Sequence, residues 1–144
     1  MVRKLIIVVT ILVVSLFSCK ADLPYTFLHA ISTVESNNDP NKLGDYYDHR
    51  AFARGLYQIH PSCFSDCKSF DSRLKKFHWR DCSRVDISNI VINDYLSHYA
   101  KSAYNSLNYC VLCHVWNSGN YLRHPHASDA YWLKVKKVMD EEKN

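Results

Sequence analysis

The chain has 144 residues, 47% of them hydrophobic and 13% aromatic, which suffices for one domain with a real core and is too short for two. Its formal charge of +4 is concentrated at the start. Residues 1 to 21 hold Arg3, Lys4 and Lys20 and no acid, so the remainder carries 15 basic against 14 acidic side chains, a net +1. A domain so close to neutral gives no electrostatic case for nucleic acid as a partner.

Arg3-Lys4 followed by an apolar run from Leu5 to Phe17 reads as the charged and apolar regions of a signal peptide. Cleavage after Ala21 is the preferred reading. Leu16-Phe17-Ser18-Cys19 also resembles a lipoprotein box, which would anchor the chain through Cys19, and this is the less favoured course. No other stretch approaches the roughly 20 apolar residues that span a membrane. The expectation is residues 1–21 as signal peptide, residues 22–144 as one secreted domain acting as a monomer, and no membrane association after signal removal.

Phe27, Leu28, Ile31 and Val34 recur at spacings of three and four after Pro24, which predicts a first helix ending near Glu35. The turn formers Ser36-Asn37-Asn38-Asp39-Pro40 stop it. Lys42 to Arg50 is polar, and Ala51 to Ile59, including Leu56-Tyr57-Gln58-Ile59, reads as an extended segment closed by His60-Pro61. Residues 62 to 84 show no clean period and predict helical turns only weakly. Ile87, Ile90, Val91, Tyr95, Leu96 and Tyr99 form a helical stripe with Asp86 and Ser88 as capping candidates. Leu107 to Trp116 predicts a buried helix broken by Asn117-Ser118-Gly119-Asn120. Ser128 can cap a last helix that turns Tyr131, Trp132, Val135, Val138 and Met139 inward. The fold class expected is α+β, mainly α.

Export into an oxidising compartment predicts disulfides among Cys63, Cys67, Cys82, Cys110 and Cys113. Five is odd, so one thiol stays free or Cys19 is retained as a sixth; the connectivity is open. Cys110-x-x-Cys113-His114, with Cys63, Cys67, His78 and Cys82, also offers metal ligands or a haem attachment pattern. The disulfide reading is preferred, with no metal and no cofactor expected.

Glu35 stands where an apolar helix meets a polar loop. A carboxyl with apolar walls there ionises reluctantly, and a carboxylic acid kept protonated near neutral pH can protonate a glycosidic oxygen. The bland alternative is a solvated helix-end glutamate. Asp45 and Asp48 follow downstream, either as a second carboxylate or as turn residues bonding their own backbone.

Glu35-Ser36, Asp39-Pro40, Gly44-Asp45, Ala53-Arg54-Gly55-Leu56-Tyr57-Gln58-Ile59 and Val115-Trp116-Asn117-Ser118-Gly119 together resemble the lysozyme-like superfamily. The similarity is to soluble lytic transglycosylases and to goose-type and invertebrate-type lysozymes, over residues 28 to 120. It implies a lysozyme-like helical domain in which a small β-hairpin, formed by the Gly-Leu-x-Gln-Ile segment, lines a cleft. It implies a muramidase that cleaves the β-1,4 bond of peptidoglycan with Glu35 as general acid and base. Asp48 or Asp45 would serve as second carboxylate in a hydrolase, while one glutamate suffices for a transglycosylase. Tyr57, Gln58 and Asn117 become candidates for substrate hydrogen bonds, and Trp116 and Tyr109 for stacking on sugar rings. The chain departs from the family pattern twice: Ser118 replaces the first glycine of Asn-Gly-Gly, and Asp66-Cys67-Lys68 stands where related chains have Asp-x-Asn. Two other functions fit the same residues, an inactive lysozyme-like glycan-binding protein and a disulfide-stapled secreted interaction module.

Overall fold

A computed structural model describes residues 21–47, 51–119 and 126–143. The described residues are mainly helical with one small antiparallel sheet. In chain order they are α1 (Tyr25–Ser36), β1 (Leu43–Tyr47), β2 (Ala51–Arg54), α2 (Pro61–Phe70), α3 (Val85–Tyr99), α4 (Lys101–Asn105), α5 (Tyr109–Ser118) and α6 (Asp129–Glu141). Two short 3-10 turns, Ser72–Leu74 and Trp79–Ser83, join α2 to α3. Residues 1–20 of the expected signal peptide, Asp48 and the His124-Pro125 end of the last loop lie outside the described residues.

The apolar spacing of α1 places Phe27, Leu28 and Ile31 on one buried face. That face joins Ile87, Val91, Ile92 and Leu96 of α3, Leu112 and Val115 of α5, and Val135 and Met139 of α6 in a single core. Each such residue contributes about 1.5–3 kcal/mol by leaving water. α1 packs on α6, α6 on α5, and α2 on α3. Asn93, buried on α3, accepts hydrogen bonds from the Leu23 backbone N–H (2.8 Å) and the Tyr104 hydroxyl (2.7 Å), which fixes the start of α1 to α3 and α4.

α1 ends as the turn formers require. Asn37 takes a left-handed conformation (φ 56°) and its N–H closes onto the carbonyls of Ser32 and Thr33. The hairpin differs from expectation. Residues 43–47, polar loop by sequence, form β1, and the extended part of the next segment is only β2. Leu56-Tyr57-Gln58 is a turn, not a strand: Gly55 has φ +77° and Gln58 φ +49°, and the chain returns so that Ile59 bridges Arg54. Pattern alone misreads it because the inward apolar residues of this turn alternate as a strand's do. A Cβ at Gly55 would collide with the carbonyl oxygen of Cys82, so both the dihedral and the close approach require glycine.

Residues 61–70 form a regular helix, α2, where the sequence predicts only weak turns. Pro61 occupies its first turn, where a missing N–H costs nothing, and only Phe64 and Cys67 are buried, too few to show a period. α3 begins at Val85, ahead of the capping candidates Asp86 and Ser88; Asp86 pairs instead with Arg84 at 2.8 Å. Ser128 precedes α6 as expected but makes no side-chain cap.

All five cysteines of residues 21–144 are free thiols. Cys63 and Cys67 lie one turn apart on α2, the Cys67 thiol donates to the Val91 carbonyl at 3.6 Å, and Cys82 lies near both. Among the described residues no three His, Cys, Asp or Glu side chains are grouped to hold a metal ion, and no helix is long and apolar enough to cross a membrane.

Candidate active site

The last turn of α1, the Gly55–Gln58 turn, the start of α2 and the last turn of α5 converge on a cleft of about 240 Å³. Its lining includes Glu35, Tyr57, Gln58, Tyr95, Trp116 and Asn117. A second depression, of about 410 Å³, lies on the other side of Tyr57 and is bounded by Tyr25, Leu28, His29, Leu56 and Val85. Volume favours the second and chemistry the first, because the first gathers polar groups around a half-buried carboxyl.

Glu35 is the one carboxylic acid lining that cleft among the described residues. Burial pushes its pKa above the usual carboxylate value, against hydrogen bonds from Tyr131 and Trp116 that favour the charged form. Its place in the last turn of α1 acts in the same direction as burial, since a helix C-terminus carries partial negative charge and no basic side chain offsets it there. The Tyr131 hydroxyl donates to Glu35 Oε1 at 2.8 Å, and burial keeps that phenol neutral well above its normal range. The carboxyl is thus held in one orientation with its proton retained to higher pH.

Ser36 explains why the acid sits against the turn. Its hydroxyl bonds the Ser32 carbonyl (3.0 Å) within α1 and the Leu56 carbonyl (2.9 Å) across the cleft wall. The helix end and the turn are therefore joined one residue after Glu35. Gln58 supports the same turn: its side-chain nitrogen donates to the Gly55 (3.0 Å) and Lys42 (3.3 Å) carbonyls. A Cβ at Gly44 would clash with the Gln58 side-chain oxygen and would also fall 2.7 Å from the Ala53 Cβ. Gln58 lines the cleft, but its amide braces the hairpin.

Tyr57 is buried, its hydroxyl donating to Asn89 at 2.6 Å. The Trp116 ring stands edge-on to both Tyr57 (6.5 Å, 89°) and Tyr95 (5.7 Å, 86°), which fixes its indole in the wall of the cleft that Glu35 lines. Asn117 is exposed at the mouth. Tyr109 is not at the cleft. It stacks on Phe27 at 4.6 Å and belongs to the packing between α5 and α1.

The Ser118 substitution leaves the backbone unstrained. Ser118 is the last helical residue of α5 and bonds the His114 carbonyl at 2.7 Å, while the positive φ of this loop falls on Gly119 (φ +68°). Asp45 lies in β1, inside the register irregularity between Leu43 and Tyr46. Asp48 is outside the described residues.

The sequence marks Tyr131 only as an inward-facing residue of the last helix. Its approach to Glu35 spans 96 positions and depends on how α6 docks. α6 runs antiparallel to α1 and is tied at both ends: Asp129 bonds His114 of α5 at 3.4 Å, and Glu142 bonds His29 of α1. Between these ties Tyr131 reaches the acid. The surroundings can deliver one proton from Glu35 to an oxygen placed in the cleft. Comparison of the chain with models of protein families, with curated proteins and with solved structures finds no match.

Proposed function

We propose that this chain is a lysozyme-like glycosidase that cleaves the β-1,4 bond between N-acetylmuramic acid and N-acetylglucosamine in peptidoglycan outside the cell. The observation that carries the reading is Glu35: a carboxyl of raised pKa, hydrogen-bonded by Tyr131 and Trp116, at the floor of a cleft. The ordered motifs around Glu35, Gln58 and Asn117 support the same assignment.

Protonated Glu35 gives its proton to the glycosidic oxygen as the bond to the anomeric carbon breaks and positive charge develops on the sugar ring. The Tyr131 and Trp116 hydrogen bonds stabilise the carboxylate so formed. In the second half-reaction the carboxylate takes a proton from the attacking hydroxyl. That hydroxyl belongs to water in a hydrolase, with Asp48 or Asp45 supporting the ring cation, or to the muramic acid's own 6-hydroxyl in a transglycosylase.

Glu35→Gln keeps the side chain's shape and removes its acid. Clearing of bacterial cell walls should fall by at least about a hundredfold, the usual worth of a general acid, with the circular dichroism spectrum unchanged. Undiminished clearing would refute the assignment. Mass spectrometry of the parent protein's products separates the two courses, reducing ends marking hydrolysis and anhydro ends transglycosylation. Binding of wall fragments without any product would identify an inactive glycan-binding relative.

A further inference from the structure

The rings that wall the cleft do not stop at its rim. Tyr95 lines the cleft and packs edge-on to Trp116 on one side. On the other side it meets Tyr99, one turn further along α3, at 4.7 Å between ring centroids. Tyr99 in turn contacts Phe70 at the end of α2 (6.5 Å, 75°), and Phe70 stacks on His98 (4.1 Å, 6°). The result is a continuous aromatic track from the acid's own neighbour, Trp116, onto the outer surface of α2 and α3.

The outer part of this track is wet. Tyr99 is 48% and Phe70 40% exposed, so neither ring has completed its burial within the fold. Both are nevertheless held in place, Phe70 by the His98 stack and Tyr99 by its ring contacts with Tyr95 and Phe70, with the Asp66 carboxylate near its hydroxyl. Fixed rings that present apolar area with a polar edge lose little conformational entropy when a ligand covers them. A pyranose has the matching chemistry, an apolar C–H face ringed by hydroxyls, and Asp66 supplies an acceptor for those hydroxyls beside Tyr99.

We propose that Tyr99, Phe70 and the Asp66 carboxylate form an outer subsite for the same polysaccharide strand, binding sugar units beyond those in the cleft. The proposal rests on the reading of the cleft as a glycan site. The occupant follows from continuity: a strand seated against Trp116 and Tyr95 meets Tyr99 next, with no break in the aromatic surface. Chain-length preference is the consequence, long strands binding more tightly than short ones because only they reach α2.

The test uses the mature chain carrying Glu35→Gln, so that ligands are not consumed, and titrates a trisaccharide and a hexasaccharide of alternating β-1,4-linked N-acetylglucosamine and N-acetylmuramic acid by calorimetry and by proton NMR of the aromatic rings. The hexasaccharide should bind more tightly and shift the Tyr99 and Phe70 ring signals, while the trisaccharide shifts only those of Trp116 and Tyr95. Tyr99→Ala or Phe70→Ala should weaken the hexasaccharide roughly fivefold or more, as truncating an aromatic anchor does, and leave the trisaccharide unchanged. Tyr99→Phe should retain most of the affinity. Equal affinity for both lengths, or no hexasaccharide-induced shift at Tyr99 and Phe70, overturns the outer subsite and leaves the cleft standing. Binding of neither length overturns both together. Because the NMR shifts are read without altering either ring, they decide the matter even if an alanine variant misfolds.

Discussion

Replacing Tyr131 with Phe deletes one hydroxyl and tests whether that donor sets the proton affinity of Glu35. The hydroxyl donates to Glu35 Oε1 at 2.8 Å in a half-buried setting. A hydrogen bond to a carboxylate contributes about 1.5–3 kcal/mol and one to the neutral acid about 0.5–1.5 kcal/mol. The difference, about 1–1.5 kcal/mol, is what favours ionisation, and it corresponds to about one pH unit. Removing it should raise the Glu35 pKa by about that amount, above a value already lifted by burial. Two assays read the change. The carboxyl carbon chemical shift of Glu35 titrated by NMR should move its midpoint upward whether or not the protein turns over substrate. In the wall-clearing assay the alkaline limb of kcat/KM, which reports the free enzyme's acid, should move the same way. At pH values above the midpoint Tyr131→Phe should also be less stable than the parent, with a smaller gap below it. A Glu35 midpoint that stays put or falls would refute the claim that the Tyr131 donor favours the charged form.

Gly55→Ala forces a left-handed alanine and drives its Cβ against the Cys82 carbonyl; the two costs together predict a loss of about 3 kcal/mol in urea unfolding. Asp94 is pushed up to about 7 by burial and by its hydrogen bond with Asp71, outweighing the pull of Arg73. A folded-state pKa above the unfolded one contributes stability that is complete below about pH 4 and lost as pH rises through about 7. Asp94→Asn should therefore melt higher than the parent at pH 8 and show that advantage shrinking toward pH 4; a constant offset would contradict the titration. Thiol titration of protein kept under reductant should count five groups in the chain beyond Ala21. Mild exchange with a small disulfide should modify Cys110 first, the part-exposed thiol of α5, ahead of Cys82 and Cys113, whose thiols burial holds protonated. Replacing Cys110 with Ser should remove that fast phase.

The helices are legible in the sequence wherever one face meets the core. α1, α3 and α5 each bury several apolar residues at helical spacing, α6 adds the part-buried Tyr131, Trp132 and Val138 to its buried Val135 and Met139, and the glycine and asparagine signals that end α1 and α5 adopt the left-handed conformations those residue types favour. α2 is hidden because it buries only Phe64 and Cys67. The Gly55–Gln58 turn is hidden by its own packing: Tyr57 inward and Leu56 half-buried mimic the alternation of a strand. Glu35, Trp116 and Asn117 stand at one cleft as their motifs suggest. Gln58 reaches it too, but in a bracing role that no sequence pattern distinguishes from ligand contact.

Tyr131 and the ties of α6 cannot be read from the sequence at all, and they bear most on the proposed chemistry. A glutamate at a helix end is an ordinary surface acid until something covers it. Here the cover comes from the far part of the chain, so the acid's pKa is a property of the docking of α6 on α1 and α5. His29 with Glu142 and His114 with Asp129 hold that docking, one tie near each end. Loosening either tie would let water reach Glu35, remove the burial that raises its pKa and lengthen the bond from Tyr131. The proposed acid is therefore set by tertiary packing, and the motif around it supplies only the residue that the packing acts upon.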